Sequence, residues 1–186
     1  MIPDLAEILA SLRGAWRLIK LDAGGFDEFN LSVEGFWRSF FAMVVAAPIY
    51  VLLLVLVQEL PTEDLAAPRS MALSMLSYVI GWIIGVLVVL LATRLLGRGG
   101  YFARLVIALN WLSVPLVVLF AVIYGFAALA PTEIAGLLYL LTLPIYVFYY
   151  SFVVRRGIEV NLAPAIGVAL LLLVVSILVD VVLFGL

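Results

Sequence analysis

Five long apolar runs, separated by short polar segments, restrict what this chain can fold into. A helix needs about 20 apolar residues to cross a hydrocarbon core of about 30 Å, and each run reaches that length. The chain is 67% hydrophobic and only 12% charged, whereas soluble domains are about 25% charged. We therefore predict an all-α membrane protein whose residues 36–186 form a compact bundle of five transmembrane helices, with spans near 37–59, 71–96, 102–129, 133–154 and 163–185.

The connections between these runs are short, the longest being the stretch ELPTEDLAAPR. Helices joined by connections of this length commonly pack beside each other in antiparallel fashion. We therefore expect each span to contact the next one along the chain. No run alternates apolar and polar residues at a period of two, so a β-barrel is not expected.

Residues 1–35 form a separate N-terminal segment that begins with an amphipathic pattern. A helix with one apolar face beside a membrane span can lie in the plane of the interface. It can equally dock on the protein's own cytoplasmic face or on a partner, and the sequence leaves these interpretations open. The stretch DAGGFDEFNLSVEG is predicted to be a linker. The apolar positions of the predicted amphipathic helix are Leu5, Ile8, Leu9, Leu12, Trp16 and Ile19.

The loop charges predict how the bundle sits in the membrane. Of the ten basic residues, only Arg69 falls on one side of the predicted spans. Cytoplasmic loops carry an excess of Lys and Arg, so the N-terminus is predicted to be cytoplasmic and the C-terminus to lie on the opposite side. The basic residues on the predicted cytoplasmic side are Arg13, Arg17, Lys20, Arg38, Arg94, Arg98, Arg104, Arg155 and Arg156.

The composition also argues against several kinds of chemistry. The chain has no cysteine and no histidine, so the usual zinc, haem and iron–sulfur ligand sets and the Ser-His-Asp and Cys-His arrangements are missing. No GxxxxGK[ST] loop is present. The formal net charge of -2 argues against nucleic-acid binding, which needs a basic surface. We therefore predict a non-enzymatic protein without cofactor or metal, whose partners are the lipid bilayer and, through association, other membrane proteins or further copies of itself.

Small and polar residues within the spans mark the faces that helices present to each other. Gly81 and Gly85 have the GxxxG spacing and are predicted to pack against a neighbouring helix. Asn110 and Tyr146 are predicted to lie at similar depth on neighbouring helices, with Thr142 one turn from Tyr146. A structural hydrogen bond is favoured for Asn110 over a ligand contact.

Asp180 is the acidic residue that lies well inside a predicted span. An intramembrane carboxylate is a candidate for proton or cation coupling, but one near the interface is hydrated cheaply. The structural interpretation is somewhat favoured, and Arg69 is the basic candidate partner on that side.

Three spans carry a proline in their interior: Pro48, Pro115 and Pro144. A proline in a helix removes one hydrogen bond and kinks the helix, which leaves the carbonyl four residues earlier without its donor. Side chains such as Thr142 and Asn110 are expected to bond the freed carbonyls. A site is therefore expected at the level of these kinks. The carbonyls concerned are those of Val44, Trp111 and Leu140.

The basic glycine loop and the helix that follows it, GGYFARLVIALNWLSVP, resemble the Yip family of small polytopic membrane proteins. The positions that carry the resemblance are Gly99, Gly100, Phe102 and Pro115, and it extends over residues 36–186. The resemblance, which includes bacterial members of the family, implies five helices with a cytoplasmic N-terminus, a place in the bacterial inner membrane, and no catalytic residues. The DLYGP-type signature of eukaryotic members is absent, so their role in vesicle trafficking is not carried over.

These patterns support two functions. The first is a Yip-like scaffold or accessory protein that binds membrane partners or organises lipid. The second is a small oligomeric permease or channel that uses Asp180 and Asn110.

Overall fold

The computed structural model describes residues 2–57 and 66–184, and within these ranges it is helical and without strands. Two short 3-10 helices, Ala23–Glu28 and Gly99–Tyr101, precede α2 and α5. Five helical segments are long and apolar enough to cross a membrane, so the prediction of an all-α bundle of this kind is confirmed. The α-helices are α1 (Leu5–Ile19), α2 (Val33–Ser39), α3 (Phe41–Val57), α4 (Ala66–Leu95), α5 (Phe102–Ala128), α6 (Thr132–Gly157) and α7 (Leu162–Phe184).

The predicted bounds of the third and fifth spans agree with α5 and α7 to within one residue. The first span begins earlier than predicted, at Val33, because the Ser32 side chain accepts a hydrogen bond from the Gly35 amide at 3.0 Å and caps α2. The fourth span continues through Arg155 and Arg156, whose charges favour the C-terminal end of a helix. The segment 58–65, which contains the PTE sequence at 61–63, lies outside the described residues.

Helix α5 lies at the centre of the bundle. In its most apolar stretch of 18 residues, half of the residues are buried, whereas the same fraction is 22% in each of the other four spans. It packs against α1, α2, α3 and α6, while α7 packs between α6 and α4. The expectation that each span packs on the next is therefore right for α5–α6 and α6–α7 but wrong for the first pair, since α3 packs mainly on α5 and α4 mainly on α7. Apolar residues are spread around the whole circumference of each span, so hydropathy alone indicates no preferred face for pairing.

Helix α1 docks on the protein's own bundle through small residues. Its buried face consists of Ser11, Gly14, Ala15 and Leu18, and it packs on the first 3-10 helix and on α5. A Cβ added at Gly14 would lie 2.7 Å from the carbonyl oxygen of Gly25, which is too close for any real Cβ. The predicted linker is thus a packed element, and glycine is required where the two backbones meet.

The opposite face of α1 is apolar and exposed. Leu5 is 70% exposed and Trp16 54% exposed, and Trp37 on α2 is 59% exposed. Of the three locations left open by the sequence, the structure shows docking on the protein's own bundle for one face of α1. The other face is exposed and stays free for the membrane interface or for a partner. We call these exposed side chains the α1 stripe, which consists of Ile2, Leu5, Leu9, Trp16 and Trp37.

Ion pairs hold the N-terminal segment together at one end of the bundle. The Arg17 guanidinium donates to Asp22 at 2.7 Å and to Glu28 at 3.2 Å. The hydrogen bond from Arg17, together with one from the Gly24 amide, holds the pKa of the Asp22 carboxyl below its ordinary value. Arg38 joins α2 to α1 through an ion pair with Glu7 at 2.8 Å, so it holds the two helices together.

The predicted cytoplasmic arginines lie together at this end, as their contacts show. Arg104 at the start of α5 stacks on Phe26 of the N-terminal segment, with its guanidinium carbon 4.7 Å from the ring centre. Arg98 donates to the Glu159 carbonyl, which follows α6. We call this end of the bundle the basic end and the other the opposite end.

Candidate functional site

A cavity of about 310 Å³ lies between the five spans, and every span contributes to its lining. On α4 the lining runs from Ser77 to Val89, which is about 18 Å of helix at 1.5 Å per residue. Polar groups and aromatic rings occur along much of its length. We call it the central cavity, and its lining includes Tyr50, Ser77, Tyr78, Gly81, Trp82, Gly85, Asn110, Ser113, Tyr146, Tyr150, Ser176 and Asp180.

Two glycines of α4 keep part of this cavity open. A Cβ added at Gly81 would meet no atom within 4 Å, and one added at Gly85 would only touch the Leu172 side chain at 4.0 Å. The predicted packing role is therefore wrong for Gly81 among the described residues, while Gly85 faces only a side chain of α7. The GxxxG spacing on α4 faces a space and does not bring two backbones together.

Asp180 lies at the end of the cavity nearer the opposite end of the bundle. It is 18 residues into α7, which is about 27 Å from the start of that helix. Its carboxylate accepts a hydrogen bond from the Ser77 hydroxyl of α4 and is close to Tyr50 of α3. No ion pair to Asp180 occurs among the residues at 2–57 and 66–184 whose side chains are described, and the side chain of Arg69, its predicted partner, lies outside that set.

Asn110 lies nearer the basic end and is 6% exposed. Its side-chain amide donates to the Ser39 hydroxyl at 2.9 Å, and that hydroxyl donates to the Phe36 carbonyl at 2.7 Å. This chain of bonds joins α5 to α2, which is the structural role the sequence favours. Asn110 and Tyr146 also line the same cavity, so the structural bond and a place on the cavity wall coexist.

Aromatic rings form much of the cavity wall. Tyr50 of α3 stacks on Tyr78 of α4 with ring centres 4.6 Å apart, and the Tyr78 hydroxyl donates to the Met43 carbonyl at 2.7 Å. Tyr146 stacks on Tyr150 one turn further along α6, at 3.9 Å. These pairs present ring faces and hydroxyl groups inside a span, where an aromatic side chain with a polar group is otherwise typical of the interface.

The prolines lie beside the cavity, but the carbonyl bonds differ from the prediction. The helices α3, α5 and α6 continue through their prolines. In each case a side chain bonds the carbonyl five residues before the proline, not four: Tyr78 bonds Met43, Ser113 bonds Asn110 at 2.6 Å, and Thr142 bonds Tyr139 at 2.6 Å. The cavity-lining residues Tyr50, Ser113 and Tyr146 are each two residues from a proline, namely Pro48, Pro115 and Pro144.

Thr142 does not belong to the site. It is buried, its hydroxyl is used within α6, and it is not part of the cavity lining. Thr142 lies one turn before Tyr146 on α6, and the part of α6 that lines the cavity begins only at Tyr146.

Sequence reasoning missed three aromatic residues of the site: Tyr50, Tyr78 and Trp82. A signal was available on α4, where Ser77, Tyr78, Gly81, Trp82 and Gly85 recur at steps of three and four and so share one face. A face that alternates glycine with large polar aromatics is unusual for lipid contact. No comparable pattern marks Tyr50, whose ring reaches the cavity wall by stacking on Tyr78 of α4.

The cavity is closed towards the basic end by tightly packed side chains. Leu105 and Ile158 are 0% exposed, and a Cβ added at Gly157 would lie 3.1 Å from the Leu105 side chain. The first 3-10 helix contributes Phe26 to the same contact. The lining of the central cavity stops short of this contact, at Val106 on α5 and at Tyr150 on α6.

Comparisons with known proteins give no family for this chain. No protein-family model matches it, and neither a curated protein nor a solved structure shows significant similarity to it. The resemblance to the Yip family therefore stays a prediction from the glycine loop and Pro115, and the function has to be argued from the bundle itself.

Proposed function

We propose that this chain is a non-enzymatic membrane protein whose central cavity binds a small organic cation. The observation that carries the proposal is the charge of the cavity wall: it contains the Asp180 carboxylate, and none of the described residues that line it is basic. The carboxylate lies near the opposite end of the cavity, so a cation that enters from that end would meet it first. Ser77 gives this carboxylate one hydroxyl donor, and a bound cation would add the opposite charge.

The size and the aromatic content of the cavity support the same class of ligand. A volume of about 310 Å³ is at the low end of small-molecule sites and is too small for a whole lipid. Ring faces attract a cation by about 0.5–2 kcal/mol, the larger values applying where water is excluded. Tyr50, Tyr78 and Trp82 place such faces beside the carboxylate end of the cavity.

This proposal develops the permease or channel function predicted from the sequence. Both residues named for that function, Asp180 and Asn110, line the central cavity. Helices α5 and α7 both start at the basic end, and Asn110 and Asp180 lie about 12 Å and about 27 Å from those starts, so they are about 15 Å apart along the bundle axis. The packed residues at the basic end argue for a binding protein or a carrier over an open channel. The cation would enter from the opposite end.

The finer localisation is part of the proposal. We place the protein in a bacterial inner membrane with its N-terminus in the cytoplasm and its C-terminus on the other side. The support is the collection of arginines at the basic end of the bundle, since such residues are retained on the cytoplasmic side.

The scaffold or accessory function is the second proposal, and the α1 stripe is the observation that favours it. Three of its side chains, Leu5, Leu9 and Trp16, sit on α1, whose other face is fixed to the bundle, so they are available to lipid or to a membrane partner. Purification in mild detergent tests it: co-purification of a stoichiometric protein that is lost on Leu5→Ser/Leu9→Ser substitution supports this function. Recovery of the chain alone under the same conditions contradicts it.

The cation proposal is tested by ligand titration of the full chain in phosphatidylcholine nanodiscs. Benzyltrimethylammonium is the probe, and the fluorescence of Trp82 is the signal, with Trp82→Phe as the check on its source. We expect saturable binding that weakens about tenfold or more in Asp180→Asn, because a charged hydrogen bond or ion pair of this kind is worth about 1.5–3 kcal/mol. Gly81→Leu should also weaken binding, because the new side chain would occupy cavity space.

Matched controls make the test specific. Asp27→Asn removes an exposed carboxylate outside the spans, and Gly136→Leu adds the same side chain at an open position of α6 away from the cavity. Both should bind as the unsubstituted chain does. Equal binding by Asp180→Asn and Asp27→Asn would refute the proposal. In proteoliposomes, loss of cation uptake in Asn110→Leu with binding retained would show that the site serves a carrier.

A further inference from the structure

A second cavity, of about 390 Å³, lies at the basic end and differs in charge from the central cavity. Three arginines and one glutamate line it, so its ionised side chains sum to a positive charge. It lies where α5 begins and α6 ends, against the first 3-10 helix. We call it the arginine cavity, and its lining is Ala23, Phe26, Arg104, Arg155, Arg156, Glu159 and Val160.

The Arg104 guanidinium is held in place but lacks acceptors. It stacks on Phe26, and its Nε is buried with no hydrogen-bond partner among the described residues. Its nearest carboxylate oxygen, on Glu159, is 3.8 Å from Nη1, which is longer than a hydrogen bond. A guanidinium carries five donors in a planar fork that suits carboxylate and phosphate groups. Arg104 is therefore positioned for an anionic acceptor that the chain itself does not supply.

Glu159 is occupied by other groups. Its carboxylate accepts from the Tyr101 hydroxyl at 2.9 Å, and its carbonyl accepts from Arg98 at 3.1 Å. Arg155 and Arg156 make no ion pair among the described side chains, and both are exposed in the last turn of α6. The partial negative charge at the C-terminal end of α6 explains why basic residues are favourable there. It does not explain why both arginines line the same cavity as Arg104.

From this convergence we propose that the arginine cavity binds the phosphate group of an anionic lipid at the membrane interface. Arg104 lies in the first turn of α5, and Arg155 and Arg156 lie in the last turn of α6, so the three meet where two spans leave the membrane. Basic pockets at this level between transmembrane helices suit anionic headgroups. A soluble phosphate has the same chemistry, and the position at the ends of the spans favours the lipid.

The proposal is tested with the full chain in nanodiscs that contain phosphatidylcholine with or without phosphatidylglycerol, read by native mass spectrometry of retained lipid. Each arginine near an anionic surface contributes about 1 kcal/mol, or about fivefold in affinity. Arg155→Gln/Arg156→Gln should therefore reduce retention of phosphatidylglycerol by about 25-fold and leave phosphatidylcholine unchanged. Arg13→Gln/Arg94→Gln removes two charges from the same end outside the cavity and is the control, expected to lose clearly less.

A variant that is expected to increase lipid retention separates loss of the site from general damage to the fold. Glu159 has a left-handed backbone with φ of 55°, which glycine adopts without strain. Glu159→Gly removes the negative charge from the cavity and should raise retention of phosphatidylglycerol about fivefold. Equal losses in the two double arginine variants, or no increase in Glu159→Gly, would overturn the proposal. Saturable binding of inorganic phosphate by the detergent-purified chain, with no preference for phosphatidylglycerol, would overturn the lipid assignment in favour of a soluble anion.

Discussion

The central cavity makes a sharp prediction at Gly81, where adding one methyl group should stabilise the protein. Glycine in a helix interior costs about 0.5–1 kcal/mol relative to alanine. At Gly81 a Cβ would meet no atom within 4 Å, so nothing offsets that gain. Gly81→Ala should therefore raise the free energy of unfolding by about 0.5–1 kcal/mol, which corresponds to about 2 °C in Tm for a chain of this size.

The same substitution at Gly14 should have the opposite sign. The helix-propensity gain is equal, but the new Cβ would lie 2.7 Å from the Gly25 carbonyl oxygen, and that oxygen belongs to the backbone and cannot rotate away. Overpacking of this kind costs about 1–3 kcal/mol. Gly14→Ala should therefore leave the protein less stable, by up to about 2 kcal/mol after the gain is subtracted.

Thermal unfolding of the purified full chain in one detergent, followed by circular dichroism, measures both changes. Gly136→Ala is the matched control for Gly81→Ala, because it also opens onto free space but lies outside the cavity. It should give the same small stabilisation without weakening cation binding. A destabilisation of 1 kcal/mol or more on Gly81→Ala, in the standard range of overpacking, would mean that another helix packs on this face, and the reasoning that assigns a cavity there would fail.

Two further predictions concern the basic end. Because the chain has no cysteine, single cysteines introduced at Asp27 and Thr132 can be labelled without background. A membrane-impermeant maleimide added to intact cells should label Thr132→Cys and not Asp27→Cys. The reverse pattern would contradict the proposed orientation. The contact of Asp22 with Arg17 should be pH-dependent: since folding lowers the pKa of Asp22 below its ordinary value of 3.8, its stabilising effect is complete well above that pH and is lost as the pH falls through the folded-state pKa. Pepsin cleavage between α1 and α2, measured from pH 5 to pH 2, should increase across this range by a larger factor in the unsubstituted chain than in Asp22→Asn, and identical profiles would show that Asp22 does not hold the segment.

The positions of the spans could be predicted from the sequence because length and hydropathy alone determine what crosses a membrane. The bounds of α5 and α7 were predicted to within one residue for this reason. The pairing of the spans could not be predicted, because apolar residues lie on every side of these helices and a polar or small-residue face does not say which neighbour it meets. The unexpected α3–α5 and α4–α7 contacts follow from that lack of information.

The glycines show why sequence spacing alone does not identify a contact. Gly81 and Gly85 have the spacing of a packing motif and face a cavity, whereas Gly14 and Gly25 have no motif and bring two backbones together. The difference depends on whether another element approaches, which is a property of the tertiary arrangement. Asp180 was recognisable as a candidate from its charge, but its donor Ser77 is 103 residues away and no local pattern connects them.

The closed basic end decides what kind of movement a carrier function would require. One route for a cation from Asp180 and the tyrosines to the basic end would need α5 and α6 to separate at Leu105 and Gly157. Phe26 packs on Gly157 and lies under Arg104, so that separation would also break the contact of the N-terminal segment with both helices. Since the arginine cavity is built from the same contact, an anionic lipid bound there would hold the basic end closed. Cation release to that side would then be slower in membranes rich in anionic lipid, and the arginine cavity and the central cavity would be coupled through Phe26 and Gly157.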